Sequence, residues 1–243
     1  MTRRRCIADE VSGKRAVLLG SHAHHLAVVL RARVGQQFDI AAGDSLHSGR
    51  IISVSPNRVE FELGEEIAEY AGSQITLLMS IVKFDRMEWA IEKCTELGVS
   101  RIVPLIARRT ESHLAKAAAK RLERWQRIAR QASEQSRRAF PPIVEKPISV
   151  KDAIALGGEV TRILLAETEQ HHKLKDALQS HSQHSQLLLA LGPEGGWTAD
   201  EVATFTKAGW IAASLGNTIL RAETAAIAAM AVAISELSRS RHS

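Results

Sequence analysis

The sequence predicts an α/β protein with two domains, an N-terminal β-barrel and a second domain built on a parallel β-sheet. Up to about residue 72, short apolar runs alternate with turn residues, a spacing typical of a small barrel. From residue 73 onward, strand-like apolar runs alternate with helix-like segments, which favours a parallel sheet covered by helices on both faces. Ala71, Gly72 and Ser73 form a short linker between the two patterns. We therefore expect domains at 1–72 and 73–243.

The individual elements follow from the hydrophobic periodicity. In the first domain we expect one helix at 21–30 and strands at 16–19, 38–40, 50–54 and 58–63. In the second domain we expect strands at 75–82, 101–106, 163–166, 187–191 and 210–215, with helices at 85–97, 116–138, 149–156, 198–208 and 222–237. Capping-box patterns that begin at Ser149 and Thr198 mark the starts of two of these helices.

Composition and charge restrict the possible classes of function. The 243 residues are 45% hydrophobic and 24% charged, as in ordinary globular proteins, but only 4% aromatic, which argues against a binder that works mainly by base stacking. Lysine and arginine outnumber aspartate and glutamate by 32 to 27, and several arginines occur in pairs or triplets. Because guanidinium groups match the geometry of phosphate, these clusters favour a polyanionic partner.

Cysteine and histidine usage points to a cytoplasmic protein without a metal. Cys6 and Cys94 are too far apart for a zinc pattern, and two unpaired cysteines suit a reducing compartment. We see neither a secretory signal nor an apolar stretch long enough to cross a bilayer, so no membrane partner is expected. His22, His24 and His25 have no nearby cysteine or carboxylate in sequence, and we predict no metal site.

The sharpest motif is a glycine-rich turn between a strand and a helix. The apolar run at 187–191 leads directly into Gly-Pro-Glu-Gly-Gly at 192–196, and a capped helix follows. Ligands in parallel α/β sheets bind beyond the carboxyl ends of strands, and glycines let a backbone approach a ligand closely. The turn is neither a Walker A nor a Rossmann motif. It indicates a small-cofactor site, with a simple tight turn as the alternative.

A second segment repeats the order strand, glycine turn, helix at 214–226. Glu223 and Thr224 fall in the first turn of the last helix, where a carboxylate is stabilised by the helix dipole. Arg221, just before that helix, is harder to explain by local structure. We expect it at the same pocket edge as the turn at 192–196.

Together the two segments resemble the RsmE family, the 16S ribosomal RNA uracil-N3 methyltransferases. The matching motifs are Gly-Pro-Glu-Gly-Gly at 192–196 and Leu-Gly-Asn-Thr-Ile-Leu-Arg-Ala-Glu-Thr-Ala at 215–225. Further similarity lies at 25–31, 85–98, 101–105, 125–129 and 134–138, so the resemblance covers most of the chain.

The resemblance implies the details of the fold and the partners. The second domain would be a SPOUT methyltransferase with a trefoil knot, and the first a PUA-like β-barrel that binds RNA. The cofactor would be S-adenosyl-L-methionine (AdoMet), and the protein would be a homodimer acting on 16S ribosomal RNA of the small ribosomal subunit. The expected product is N3-methyluridine at the family's position 1498.

The reaction assigns roles to three residues as hypotheses. Deprotonated uracil N3 spreads negative charge onto O2 and O4, and we assign Arg221 to stabilise that charge. Glu194 or Glu223 could serve as general base, although stabilisation of a helix terminus explains either glutamate as well. The residues expected to bind the cofactor are Glu167, Leu191, Gly192, Pro193, Glu194, Gly195, Gly196, Leu215, Gly216, Ile219, Leu220, Arg221 and Thr224. The residues expected to bind RNA are Arg3, Arg4, Arg5, His25, Arg31, Arg109 and Arg138.

Alternative functions remain open at this point. A related enzyme could methylate a ribose 2′-hydroxyl or transfer RNA, which analysis of the methylated product would distinguish. A non-catalytic RNA-binding or ribosome assembly factor would fail to bind AdoMet. A nucleotide-binding protein is a weaker alternative, because the glycine-rich turn has no phosphate-loop lysine.

Overall fold

The computed structural model describes residues 4–43, 45–67, 74–136, 138–180 and 186–239. The chain divides by its internal packing into two units. The first contains Met1–Ala71 together with Ser133–Phe140, and the second contains Gly72–Ala132 and Pro141–Ser243. The predicted fold class is confirmed: one unit has a curled, half-barrel sheet and the other an α/β architecture on a parallel sheet.

The first unit is built on a mixed six-stranded sheet. Its strands are β1 (Arg5–Ile7), β2 (Glu10–Ser12), β3 (Arg15–Leu19), β4 (Gln37–Ala42), β5 (Ser45–Ser55) and β6 (Arg58–Glu66). They lie in the order β1-β4-β5-β6-β3-β2, and only the β1–β4 pair is parallel. Apolar side chains alternate along β6, where Val59, Phe61 and Leu63 face the core. The predicted strands at 50–54 and 58–63 are thus parts of longer strands.

A short helical segment lies between β3 and β4. Helix α1 (Gly20–His24) continues as one π-helical turn, His25–Val29, and the chain then leaves through Arg31 in the left-handed region at φ 51°. The predicted helix at 21–30 is therefore present, but its second half is wider than an α-helix. Leu26 packs into the core, whereas Val28 and Val29 are exposed.

A segment from the middle of the chain belongs to the first unit. Ala139 is buried in a cluster with Ile7, Ala41 and Leu46, and Phe140 packs against the same cluster. The domain boundary predicted near residue 72 does not include this segment in the first domain. The hydrophobic pattern at 133–140 does not indicate which of the two cores the segment joins. The linker at 71–73 lies outside the described residues.

The second unit carries seven strands and seven helices within its described residues. The strands are β7 (Gln74–Ser80), β8 (Arg101–Ile106), β9 (Ile143–Val144), β10 (Ile148–Ser149), β11 (Thr161–Leu165), β12 (Gln186–Leu191) and β13 (Ile211–Ala213). The helices are α2 (Phe84–Glu96), α3 (Ser112–Ala118), α4 (Leu122–Gln135), α5 (Val150–Ile154), α6 (Leu174–Ser180), α7 (Ala199–Lys207) and α8 (Ala222–Arg239). The last residues of α4 belong to the first unit.

The sheet of the second unit is parallel throughout. Its order is β10-β8-β7-β12-β11-β13, and β9 also pairs with β8. Strands β7 and β12 are predominantly apolar, as expected for strands that helices bury on both faces. One core lies between the sheet and a layer that includes α2 and α8, and a second core, with Phe205 and Trp210, lies on the opposite face.

Helices α2 and α8 pack against each other through matching apolar stripes. In α8 the fully buried positions Ala226, Ala229, Met230 and Ala233 recur at intervals of three and four residues, the period of one helix face. Small alanines on this face allow close approach to the neighbouring helix. The buried apolar residues of α2 also recur at intervals of three and four residues.

Two parts of the secondary-structure prediction are corrected. The single helix expected at 116–138 is instead α3, a 3-10 turn at Ala119–Arg121, and α4, because the chain redirects at that turn. Helix α6 and the short strands β1, β2, β9 and β10 were not predicted, since runs this short carry little periodicity. Both predicted capping boxes are confirmed, Ser149 with Asp152 and Thr198 with Glu201. No helix in the described residues is long and apolar enough to cross a membrane.

Candidate cofactor and catalytic site

A cavity of about 310 Å³ lies where three parallel strands end. Leu165, Leu191 and Ala213 close β11, β12 and β13, and all three side chains line this cavity. Because carboxyl ends of neighbouring parallel strands meet at one sheet edge, the loops that follow them enclose a common space. Both glycine-rich turns identified in the sequence therefore contribute to the same cavity.

The first wall of the cavity is the loop after β12. Gly196 has φ 69°, and a Cβ atom added there would lie 2.6 Å from Oε1 of Glu167. A Cβ on Gly192 would approach the Trp197 indole nitrogen to 3.1 Å. That indole nitrogen donates a hydrogen bond of 2.9 Å to the carbonyl of Leu165, which connects the loop to the end of β11. Glycine at 192 and 196 thus allows the loop to pack tightly against β11.

Arg109 holds the same loop from outside. Its guanidinium donates to the carbonyl of Gly195 at 2.5 Å and to that of Trp197 at 3.4 Å. Gly195, whose carbonyl accepts from Arg109, is not among the residues that line the cavity. Its contacts give Arg109 a role in positioning the loop, and because the residue is exposed, RNA binding by Arg109 stays a prediction.

The second wall follows β13. Ser214 is fixed by two backbone hydrogen bonds of 2.8 Å, donating to His172 and accepting from Leu174. Gly216 then adopts φ 138°, a conformation that L side chains rarely adopt. Ile219 lines the cavity with 84% of its surface exposed, so this wall carries an apolar side chain with little protein cover.

Arg221 lies at the cavity edge with an exposed side chain. Within the described part of the chain, its guanidinium has no hydrogen-bond or ion-pair partner. Its backbone carbonyl accepts from the amide of Ala225 at 2.8 Å, which fixes the residue at the start of α8. The cavity therefore has a positive group available for a ligand.

Arg86 connects the two predicted candidate bases. Its Nη1 lies 2.6 Å from Oε1 of Glu194, and its Nε lies 3.7 Å from Oε1 of Glu223. Glu223 is only 4% exposed, and its Oε2 has no hydrogen-bond partner among the described residues. Glu223 does not itself line the cavity, and Thr224 is exposed.

The structure thus brings most of the predicted cofactor residues together. Eleven of the thirteen line the cavity: Glu167, Leu191, Gly192, Pro193, Glu194, Gly196, Leu215, Gly216, Ile219, Leu220 and Arg221. Sequence reasoning missed ten further lining residues: Arg86, Leu165, Ala166, Trp197, Ala213, Ser214, Asn217, Thr218, Ala222 and Ala225. Most of these adjoin the predicted segments. The exception is Arg86, whose one sequence signal is a positive charge in the first turn of a helix, where the dipole disfavours it.

The residues predicted to bind RNA fall mainly in the first unit. Arg4, His25 and Arg31 are exposed, whereas Arg5 and Arg138 are half-buried and have interaction partners. Arg138 belongs to this unit because it lies in the returning segment 133–140. Arg3 lies outside the described residues. Among the described residues, no group of three or more histidine, cysteine or acidic side chains is arranged to hold a metal.

Comparison with known proteins defines the class of the chain. The RNA methyltransferase domain family matches residues 69–234, which include the whole parallel sheet and the cavity. The ribosomal RNA small subunit methyltransferase E of Rickettsia conorii is 33% identical over 86% of this chain and 85% of that protein. The Bacillus subtilis protein of that name is 31% identical over 88% and 87%.

Solved structures agree with the sequence relatives. The ribosomal RNA small subunit methyltransferase E of Neisseria gonorrhoeae, crystallised with S-adenosyl methionine, has a TM-score of 0.80 and 32% identity, covering 95% of this chain and 96% of that one. A Legionella pneumophila methyltransferase in complex with the same cofactor has a TM-score of 0.82 and 27% identity, covering 97% and 98%. The chain belongs to the ribosomal RNA small subunit methyltransferase E family, which confirms the resemblance found in the sequence.

Proposed function

We propose that this protein transfers a methyl group from AdoMet to N3 of a uridine in 16S ribosomal RNA of the small ribosomal subunit. One observation carries the proposal: the two glycine turns that follow β12 and β13 enclose a single cavity with Arg221 at its edge. The family relationship supports the cofactor and the RNA class, since relatives named as ribosomal RNA small subunit methyltransferases match over most of the chain and one was crystallised with S-adenosyl methionine.

The residues of the cavity fit AdoMet. A volume of about 310 Å³ lies at the lower end of the range for small-molecule sites, about 300–1,000 Å³. Leu191, Leu215 and Ile219 offer apolar surface to an adenine ring. Glu167 offers a carboxylate beside a glycine whose missing side chain leaves that carboxylate room. When bound, AdoMet supplies an electrophilic methyl group on a sulfonium.

The residues of the chain then have to activate the uracil. N3 becomes nucleophilic when it loses its proton, and the negative charge spreads onto O2 and O4. Arg221 is the cavity cation without a protein partner in the described residues, so its guanidinium is available to donate hydrogen bonds to those oxygens. A preoriented donor stabilises a developing negative charge without reorganisation during the reaction.

The acceptor of the N3 proton is one of two glutamates. Glu194 lines the cavity, but one of its oxygens is engaged by Arg86. Glu223 is buried and retains one oxygen without a described partner, although it does not line the cavity. Glu194 is favoured because it lines the cavity, and Glu223 is favoured because one of its carboxylate oxygens accepts no hydrogen bond from the described residues. Separate Glu194→Gln and Glu223→Gln variants distinguish them by which one loses methyl transfer while it keeps AdoMet binding.

RNA binding by the first unit is part of the same proposal. Arg4, His25 and Arg31 are exposed there and carry the cationic groups that phosphates attract. The partner is a polyanion, so we expect binding to weaken steeply with salt. Arg31→Ala should lower the affinity for the subunit and reduce that salt dependence.

We also propose that the protein is a homodimer acting in the cytoplasm. Trp89 on α2 is 47% exposed and Ile219 is 84% exposed, which leaves apolar surface on the second unit that a second copy could cover. Sedimentation velocity tests the proposal. A dimeric wild type that becomes monomeric as Trp89→Glu supports it, whereas a wild type that is monomeric at micromolar concentration contradicts it.

The test of the reaction is methyl transfer from labelled AdoMet to small subunits that lack N3-methyluridine, followed by nucleoside mass spectrometry. We expect N3-methyluridine with the wild type, strong loss with Arg221→Ala, and partial recovery with Arg221→Lys, which keeps the charge but loses the planar fork. Detection of methylated ribose, or of methylation only on transfer RNA, would show that the proposed substrate is wrong. Absence of AdoMet binding would leave a non-catalytic RNA-binding protein.

A further inference from the structure

Arg86 stands at a position that helix stability does not explain. It lies in the first turn of α2, where the helix dipole presents positive charge. A cation there is disfavoured unless anionic groups compensate for it. Two carboxylates do so, at 2.6 Å from Nη1 and 3.7 Å from Nε.

The two carboxylates come from different parts of the chain. Glu194 belongs to the loop after β12, which forms the first wall of the cavity. Glu223 belongs to the first turn of α8, directly after Arg221 and Ala222, which line the second wall. A single guanidinium therefore joins the first turn of one helix to both walls of the cavity, across 108 residues of sequence in the case of Glu194.

Burial makes this connection energetically important. Glu223 is 4% exposed, and a buried carboxylate without a counter-charge is strongly unfavourable. The side chain of Arg86 is 29% exposed and supplies the ion pair that Glu223 has among the described residues. Loss of Arg86 would leave Glu223 buried without that partner and would remove the hydrogen bond that holds the Glu194 carboxylate.

We propose that Arg86 is a positioning residue for the methyl-transfer reaction, and this inference rests on the proposed function above. Arg86 fixes the distance between the loop that contains Glu194 and the start of α8, and so it aligns Arg221 with the cofactor. It occupies one oxygen of Glu194 with a short hydrogen bond and leaves Oε2 of Glu223 without one.

The experiment compares Arg86→Ala with Arg124→Ala. Arg124 is the matched control because it makes a double hydrogen bond, at 2.6 and 2.7 Å, to Glu88 on the same helix α2, yet it does not line the cavity. Both variants lose an arginine–glutamate pair. We measure kcat, KM for the RNA, AdoMet affinity by calorimetry, and the thermal midpoint.

For Arg86→Ala we expect kcat to fall on the order of 100-fold, because small misplacements of reacting groups cost this much. KM for the RNA should stay unchanged, which separates lost alignment from lost substrate binding. Arg124→Ala should keep the wild-type kcat. Combining Arg86→Ala with Glu194→Gln should give losses that are far from additive, because the two side chains act as one unit.

Several results would overturn the proposal. These are a wild-type kcat for Arg86→Ala, an equal loss in Arg124→Ala, or additive losses in the double variant. If Arg86→Ala does not fold, Arg86→Lys is assayed in its place: a reduced kcat supports the proposal, and a wild-type kcat contradicts it. If the wild type methylates no RNA, the proposed function fails by itself. The role of Arg86 is then tested by AdoMet affinity. Weaker AdoMet binding by Arg86→Ala, with wild-type binding by Arg124→Ala, supports the proposal, and unchanged binding by Arg86→Ala contradicts it.

Discussion

Replacing Gly196 with alanine should strain the backbone and also disturb the cavity, and a second glycine allows the two effects to be separated. Gly196 has φ 69°, in the left-handed region, where a non-glycine residue costs about 1–2 kcal/mol. The added Cβ would also lie 2.6 Å from Oε1 of Glu167, which is closer than real Cβ atoms come to other atoms. Glu167 is exposed and can rotate away, so this second effect should cost little stability but should displace a carboxylate that lines the cavity.

Gly209 provides the matched control. It follows α7 with φ 84°, it has no atom within 4 Å of an added Cβ, and it does not line the cavity. Gly209→Ala therefore carries the strain without the collision. We expect both variants to lower the thermal midpoint by about 2–8 °C, from about 1–2 kcal/mol and about 2–4 °C per kcal/mol for a chain of this size.

AdoMet binding, measured by isothermal titration calorimetry, should separate the two variants. We expect about 10-fold weaker binding for Gly196→Ala, equivalent to about 1.4 kcal/mol and comparable to one hydrogen bond to a charged group. Gly209→Ala should bind as the wild type does. The reasoning is refuted if Gly196→Ala binds AdoMet normally, or if Gly209→Ala is weakened to the same extent.

Three further predictions concern stability and thiol chemistry. Trp197→Phe removes the indole donor to the Leu165 carbonyl and should cost about 0.5–1.5 kcal/mol in chemical denaturation, with weaker AdoMet binding; unchanged stability would contradict this. Glu201→Ala removes a buried carboxylate that accepts from two backbone amides and should cost about 1.5–3 kcal/mol, whereas Glu201→Gln should lose less. Burial raises the pKa of Cys6 and of Cys94 to about 12 from the ordinary 9.0, so both thiols stay protonated in the native protein. Iodoacetamide should label the fully buried Cys94 at pH 8 only after unfolding, whereas the half-buried Cys6 should be labelled slowly in the native protein; rapid native labelling of Cys94 would contradict this. The free energy of unfolding should fall as the pH rises from 9.0 towards 12, because the unfolded thiols ionise first.

The main elements of both units could be predicted because each leaves a local signature. Strand β8 was predicted with its observed bounds, and the apolar runs of β7 and β12 identified strands buried on both faces. The two capping boxes were readable because their residues are three apart in sequence. The glycine turns after β12 and β13 could be recognised because each is a run of consecutive residues.

Tertiary structure alone decided how these pieces combine. The order of the strands, the return of 133–140 to the first unit, and the meeting of Arg86 with Glu194 all depend on contacts between residues far apart in the chain. Arg109 illustrates the difference: the sequence predicts an RNA-binding cation there, and only the fold shows that its guanidinium also donates to the carbonyl of Gly195, 86 residues away. The amino-acid pattern determined which segments carry the chemistry, because periodicity and turn residues act locally. Only packing of the chain determined which side chains share the cavity, because hydrogen bonds and ion pairs depend on distances in space.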